Sequence, residues 1–458
     1  MKPRAIEPSR TEDLFRSKLM NIINMRHPLV KLAGLIDWGR LEAHFLPYYA
    51  ENGRPAHPTR LLVGLHLLKH VEGISDEVVC ERWERDPYMQ YFCGEEYFQH
   101  RAPIARADMT HFRGRVGDEA LEILLQETLA AAHRCGALAV KACETVAVDT
   151  TVQEKAIAHP TDHGLLLTAI ERLGETAKHA GIALRQSYVR VAKRASIMTG
   201  RYTHAKQMKR ARRETRFMRI RLRRIIRDVR RKMEAGAHGL SALSLTLLES
   251  ALSKAMRIAH QKRGDKDYLY SWHAPEVECI GKGKARKPYE FGCKVSLATH
   301  VTPARGGHFI LHAQALHGKP YDGHTLKGAL ENIKDIVGRM PSRVAVDKGY
   351  KGHGLKHHPD TSVYITGQKR GVTTAIKRWL KRRAVVEPVI GHAKNDGLMG
   401  RNYLAGRTGD RINATLAAAG YNLRQILRFL RILLACLTAW LRTAFLTKTI
   451  NENLQMTF

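Results

Sequence analysis

A chain of 458 residues is long enough for two or three domains with a sizeable core, which excludes a peptide or a disulfide-held mini-scaffold. Its formal charge of +33 calls for a polyanionic partner, nucleic acid first among them, while a hydrophobic fraction of 44% and five tryptophans exclude a disordered basic tail. Seven cysteines without a C-x-x-C pair fit neither a disulfide framework nor a zinc ribbon and point to reduced thiols in a cytosol.

Met1-Lys2-Pro3-Arg4 is not followed by the apolar stretch of a secretory signal, so export is not expected. From Arg60 to Glu72 the residues Leu61, Leu62, Leu65, Leu67 and Leu68 recur at helical spacing. Gly73-Ile74-Ser75 breaks that pattern, and a second helix begins near Asp76. Asp108-Met109-Thr110 caps a further helical stretch that runs through Phe112 and Leu121 to about Ala132. Residues 1–138 therefore read as an all-helical N-terminal domain with a helix–turn–helix pair, an arrangement used to read DNA but also common elsewhere.

The character changes at Glu144 to Val152, a β-branched run with Asp149 at its centre, and a strand is expected there. Helical patterning then returns as an insertion over 155–275. Between Arg185 and Lys232 it holds 19 lysines and arginines against two acids, Glu214 and Asp228. Thr215, Met218, Leu222, Ile225 and Val229 follow four–three spacing, the seam of a packed helical hairpin or coiled coil. The bland reading of such a run is a solvated face; the density here favours contact with a nucleic-acid backbone through Lys209, Arg212, Arg213, Arg216, Arg223 and Arg227.

Tyr289–Thr299 and His308–Leu316 read as a hairpin around Pro303-Ala304-Arg305-Gly306-Gly307. A helix follows from about His324 to Met340, then a strand Ser342–Asp347 ending in Lys348-Gly349-Tyr350, a short strand Ser362–Thr366, and a basic helical stretch from Ala375 that contains Glu387. The apolar run Ile432–Leu441 is about half the ~20 residues that span a bilayer, so a buried or dimer-forming helix is expected and no membrane segment.

With the insertion set aside, the order is strand with Asp149, two hairpin strands, helix, strand with Asp347, strand, helix with Glu387. That is the element order of the ribonuclease H fold, a mixed α/β class. Three carboxylates from separate elements suit phosphoryl transfer, in which two divalent ions roughly 3.5–4 Å apart stabilise the entering and leaving oxygens. Mg²⁺ and Mn²⁺ take oxygen ligands, and no H-E-x-x-H, Walker A or dinucleotide motif competes. An aspartate after a strand is more often a turn or cap. Asp149, however, sits in an apolar run where an unpartnered charge is costly. Glu387 could simply pair with Arg383 at i−4. Pro388 either kinks the helix or restarts it as its first residue. Lys394, seven residues on, returns to within about 20° of the Glu387 face and could meet a phosphate.

The blocks AVDTT (147–151), AHPTD (158–162), AVDKGY (345–350), RAVVEPVIGHAK (383–394), MGRNYLAG (399–406) and GDRINATLAAAGYNLR (409–424) resemble the DDE transposases of insertion sequence family five. HPTRLLVGLHLLKHVEGISDE and ADMTHFRGRVG, within 56–120, are similar to that family's helical N-terminal domain. The resemblance implies that Asp149, Asp347 and Glu387 are the catalytic, metal-binding triad, with Mg²⁺, replaceable by Mn²⁺, as cofactor in the form of two ions. Family members carry Tyr, two residues, Arg, three residues, Glu, six residues, Lys. Arg383, Glu387 and Lys394 keep those intervals, while Leu380 stands at the tyrosine position.

The resulting expectation is a bacterial transposase of the cytoplasm and nucleoid. It would bind inverted-repeat ends, cleave them and join the 3′-hydroxyls to target DNA as a homodimer or larger synaptic complex, with Arg383, Lys394 and Lys348 on phosphate. The alternatives are an inactive DNA-binding relic and a ribonuclease H-like nuclease that does not transpose.

Overall fold

The computed structural model describes residues 2–3, 16–53, 55–236, 241–262, 264–281, 283, 287–355, 359–368 and 371–455, with side chains described as far as 439 except at Gly236. The chain forms two compact units, one of 1–154 with 293–458 and one of 155–292.

Among the described residues, the first unit opens with eight α-helices: α1 Leu19–Ile22, α2 Pro28–Leu35, α3 Trp38–Phe45, α4 Thr59–Glu72, α5 Asp76–Arg85, α6 Pro87–Phe92, α7 Arg106–Val116 and α8 Glu122–Arg134. Gly73, at φ +66°, ends α4 in the left-handed conformation that favours glycine, and Ser75 caps α5 by accepting the Val78 N–H at 3.2 Å. The spacing of its leucines suggests one apolar face on α4, but the helix is buried on every side, including Lys69, His66 and His70. The reason lies in the C-terminal helix α16, Gly406–Gln455, which packs on α4. A Cβ at Gly420 would fall 2.5 Å from the His70 backbone, so only glycine admits this approach.

The buried cations of this region are paired. Asp76 Oδ1 accepts from Lys69 Nζ and Asp76 Oδ2 from Arg113 Nη2, each at 2.7 Å. Burial pushes the Asp76 carboxyl up, but its hydrogen bonds from Arg113 and Lys69 outweigh that and hold it well below the usual range.

After α8 come β1 Thr145–Glu154, β3 Tyr289–His300, β4 Ile310–Leu316, α13 Asp322–Val337, β5 Arg343–Val346, β6 Ser362–Ile365, α14 Thr374–Lys381 and α15 Val386–Asn395; β2 and α9–α12 belong to the second unit. In the sheet β1 lies between β3 and β5, with β6 beyond β5 and β4 antiparallel to β3. β1 pairs parallel with β5 (Val146 with Val344, Ala147 with Ala345), and β5 pairs parallel with β6. Val146, Val148, Val344 and Val346 join the N-terminal helices and α13 in one core, whereas Ala147 faces a second core with Val386, Val389 and Ala393 of α15 and Ala414 and Ala417 of α16. β1 is thus covered on both faces. α8 and α16 share the first core with these strands.

The second unit holds α9 Asp162–His179, α10 Val189–His204, α11 Met208–Gly236, α12 Ala242–His260 and β2 Glu278–Gly281, the last antiparallel to Tyr289–Gly292. Met218, Leu222, Ile225 and Val229 form the buried seam of α11, packed with Leu166, Ile170 and Leu173 of α9 and Leu248, Ala255 and Ile258 of α12. The expected hairpin is therefore part of a four-helix bundle within one chain.

Along α16, Ile432, Leu433 and Leu437 are exposed, which overturns burial for the described part of the Ile432–Leu441 run; side chains beyond 439 lie outside the described residues. Among the described residues no helix is long and apolar enough to cross a membrane.

Candidate active site

Ala147 and Ala345 are register partners on neighbouring parallel strands, and Asp149 and Asp347 each follow two residues later. With a side-chain period of two, both aspartates project from the same face of the sheet, Asp149 midway along β1 just past its pairing with β5 and Asp347 directly after the carboxyl end of β5. In open sheets of parallel strands, ligands bind at the carboxyl ends, as at the end of β5. Asp149 Oδ1 accepts the Thr150 N–H and Asp347 Oδ1 the Gly349 N–H, both at 2.8 Å, which fixes each carboxylate on its own backbone.

Glu387 arrives from the α15 side of that face. A 3-10 turn, Arg382–Val385, follows α14, and α15 restarts at Val386. Pro388 therefore neither kinks a helix nor starts one; it is the third residue of α15, in the first turn, where a missing N–H breaks no helical bond. Arg383 on that turn donates from Nη1 to Asp149 Oδ2 at 3.2 Å and stands 3.7 Å from Glu387 Oε1 through Nη2. Its side chain is 14% exposed and that of Glu387 67%. The structure brings Asp149, Asp347 and Arg383 together and ties Glu387 to them through the guanidinium.

Burial pushes the Asp149 carboxyl above its ordinary range. The Thr150 N–H and the Arg383 charge oppose that shift, and the Asp347 charge adds to it. The direction is that of two like charges gathered at a partly dry site.

Three further groups were not singled out by sequence. Asp322, first residue of α13, accepts from Thr150 Oγ1 at 2.9 Å and from Lys294 Nζ at 3.0 Å through Oδ1. Lys294 also donates to Pro320 O at 2.8 Å. Tyr350 is completely buried; burial and the charges of Asp149, Asp322 and Asp347 push its phenol above the ordinary range. The available signal was Lys294, a charge in the middle of the apolar strand Cys293-Lys294-Val295, which needs a carboxylate once buried.

Lys394 lies on α15 and lines a groove of about 1120 Å³ with Arg106, Arg401 and Tyr403, the last 68% exposed with the Arg401 guanidinium 5.5 Å from its ring centre. Lys348 is exposed beside Gly367. Leu380, on α14, is half-buried; its neighbour Trp379 meets Tyr364 edge to face at 5.7 Å. In the second unit Lys209, Arg212, Arg213, Arg216, Arg223 and Arg227 are all exposed on α11, with Arg223 donating to Ala259 O at 3.2 Å.

Residues 17–115 match the family model described as "Transposase domain (DUF772)". The chain is 52% identical over 206 residues to "Uncharacterized protein ORF8 in nfe locus" of Rhizobium meliloti, covering all of that protein and 44% of this chain. The chain belongs to a transposase family. The matched segment runs from before α1 through most of α7, so the helix–turn–helix pair α4–α5 lies within the transposase domain. No solved structure matches.

Proposed function

We propose that this transposase-family chain is a DDE-type enzyme with a ribonuclease H-like catalytic core that cleaves inverted-repeat DNA ends and transfers the 3′-hydroxyls to target DNA. The observation that carries the reading is the matched register of Asp149 and Asp347, each two residues beyond the paired Ala147 and Ala345 of adjacent parallel strands, with Arg383 joining Asp149 to Glu387.

Asp149, Asp347 and Glu387 are the residues that would hold Mg²⁺ or Mn²⁺. The fit rests on an all-oxygen donor set and on the buried Tyr350 phenol among the carboxylates. Among the described residues no three His, Cys, Asp or Glu side chains already converge closely enough to hold an ion. When bound, such ions stabilise the attacking and leaving oxygens of the phosphoryl transfer. Arg383 orients the Asp149 carboxylate and offers its remaining N–H groups to a phosphate. Lys394 and Arg401 track the DNA backbone along the groove, and Tyr403 offers a ring on which an unpaired base can stack.

The basic face of α11 supplies affinity independent of base sequence, and the N-terminal helices read the end. Two ends react together, so a homodimer or larger assembly is part of this proposal. The test is Mn²⁺-dependent cleavage of a labelled DNA end by wild type and by Asp347→Ala. Cleavage by wild type alone supports the reading; specific binding without cleavage by either favours a DNA-binding relic.

A further inference from the structure

A further carboxylate besides Glu387, that of Asp322, borders the aspartate pair. A Cβ built on Gly349 would lie 3.0 Å from Asp347 Oδ1 and 3.2 Å from Asp322 Oδ2, so these two oxygens border one small cradle that glycine alone leaves open. Asp322 Oδ1 is held by Thr150, the residue after Asp149, and by Lys294. Its Oδ2 is the oxygen turned toward Asp347. Tyr350 supplies a second, independent sign: its side chain is 0% exposed and its hydroxyl closes no well-formed hydrogen bond, although it lies among Asp149, Asp322 and Asp347 with Thr325 beside it. A fully buried hydroxyl within the electrostatic reach of three carboxylates is a polar group that calls for an explanation beyond packing. Asp322 also stands at the N-terminus of the 16-residue helix α13, whose dipole favours the ionised carboxylate.

We propose that Asp322 is a further ligand for a divalent cation, donating Oδ2 to an ion shared with Asp347 and Asp149. This rests on the metal-dependent reading given under the proposed function. In the rival account Asp322 only neutralises Lys294 and caps α13.

The experiment titrates the full-length protein with Mn²⁺ alone and follows free Mn²⁺ by its electron paramagnetic resonance signal, for wild type, Asp347→Asn and Asp322→Asn. The expected result is binding by wild type that both substitutions weaken on the order of tenfold or more. Mn²⁺ affinity unchanged in Asp322→Asn but lost in Asp347→Asn overturns the role of Asp322 and leaves the catalytic reading standing. Wild type that binds no more Mn²⁺ than Asp347→Asn overturns both. Thermal melting establishes that each variant folds. Should Asp322→Asn not fold, Asp322→Cys decides by its difference spectrum with Cd²⁺ against wild type. A new thiolate-to-cadmium absorption supports ligation at position 322, and its absence overturns it.

Discussion

Asp149 and Asp347 occupy equivalent positions on neighbouring parallel strands, each two residues beyond the paired Ala147 and Ala345. Burial raises the Asp149 carboxyl above its ordinary range, and the like charge of Asp347 at the same level of the sheet adds to that shift.

A raised carboxyl binds its proton more tightly in the fold than in the unfolded chain, so its contribution to stability is complete below about pH 4 and is lost as pH rises through the folded value. Asp149→Asn removes a charge that burdens the fold at neutral pH, while Arg383 keeps Glu387 as partner. The variant is expected to melt higher than wild type at pH 7.5, the difference narrowing on acidification, and to lose DNA cleavage. A lower melting temperature at pH 7.5 would contradict this account.

Arg383 lowers the Asp149 carboxyl both by charge and by hydrogen bond. Arg383→Ala removes both, so the Asp149 pKa rises further. The acid limb of the pH–rate profile for Mn²⁺-dependent cleavage should shift to higher pH. Arg383→Lys should shift it less, since the ammonium keeps the charge and loses the fork.

Asp76 joins both Lys69 and Arg113, which are 6% and 5% exposed. Asp76→Asn leaves two buried cations unneutralised and should destabilise the protein by about 3 kcal/mol, read as a fall in the urea midpoint. Because the Asp76 carboxyl is held low, its contribution is present above about pH 4 and fades below it, so the loss should shrink in acid.

Gly420→Ala carries a Cβ to 2.5 Å from the His70 backbone, where neither helix can yield by a side-chain rotation. Alanine's better helix propensity offsets only about 1 kcal/mol. A net loss of roughly 2 kcal/mol is expected from overpacking, measured by thermal melting.

The exposed cations of α11 make a prediction about salt. Replacing Lys209, Arg212, Arg213 and Arg216 by glutamine should reduce the slope of log K against log salt by about 3 to 4 if each meets one phosphate. The melting temperature should stay near that of wild type, because none of the four belongs to the bundle core. An unchanged slope would remove this face from the DNA contact.

Local pattern was enough for much of the architecture. The β-branched run around Asp149, the hairpin of β3 and β4 and the four–three seam of α11 are all written in residue order, because periodicity depends on neighbours within a few positions. Asp149 and Asp347 could be named for the same reason: a charge inside an apolar strand and a strand that stops on an aspartate both show in residue order. Asp322 could not be named, since a carboxylate at a helix start has the same local sequence whether it caps a helix or faces Asp347. The restart of α15 ahead of Pro388 was equally hidden, because both helical outcomes satisfy proline.

Composition, charge and spacing by themselves determined a basic, mixed α/β chain with one aspartate inside a strand, another at a strand end and a cationic helical insertion, since these depend on residue type and period. Tertiary structure alone decided the pairing register that sets Asp149 beside Asp347, the bridge from Arg383 to Asp149 and Glu387, and the approach of Asp322 across Gly349. Each of these joins residues far apart in the chain, and only packing of the elements brings them within reach of a hydrogen bond or a shared ion.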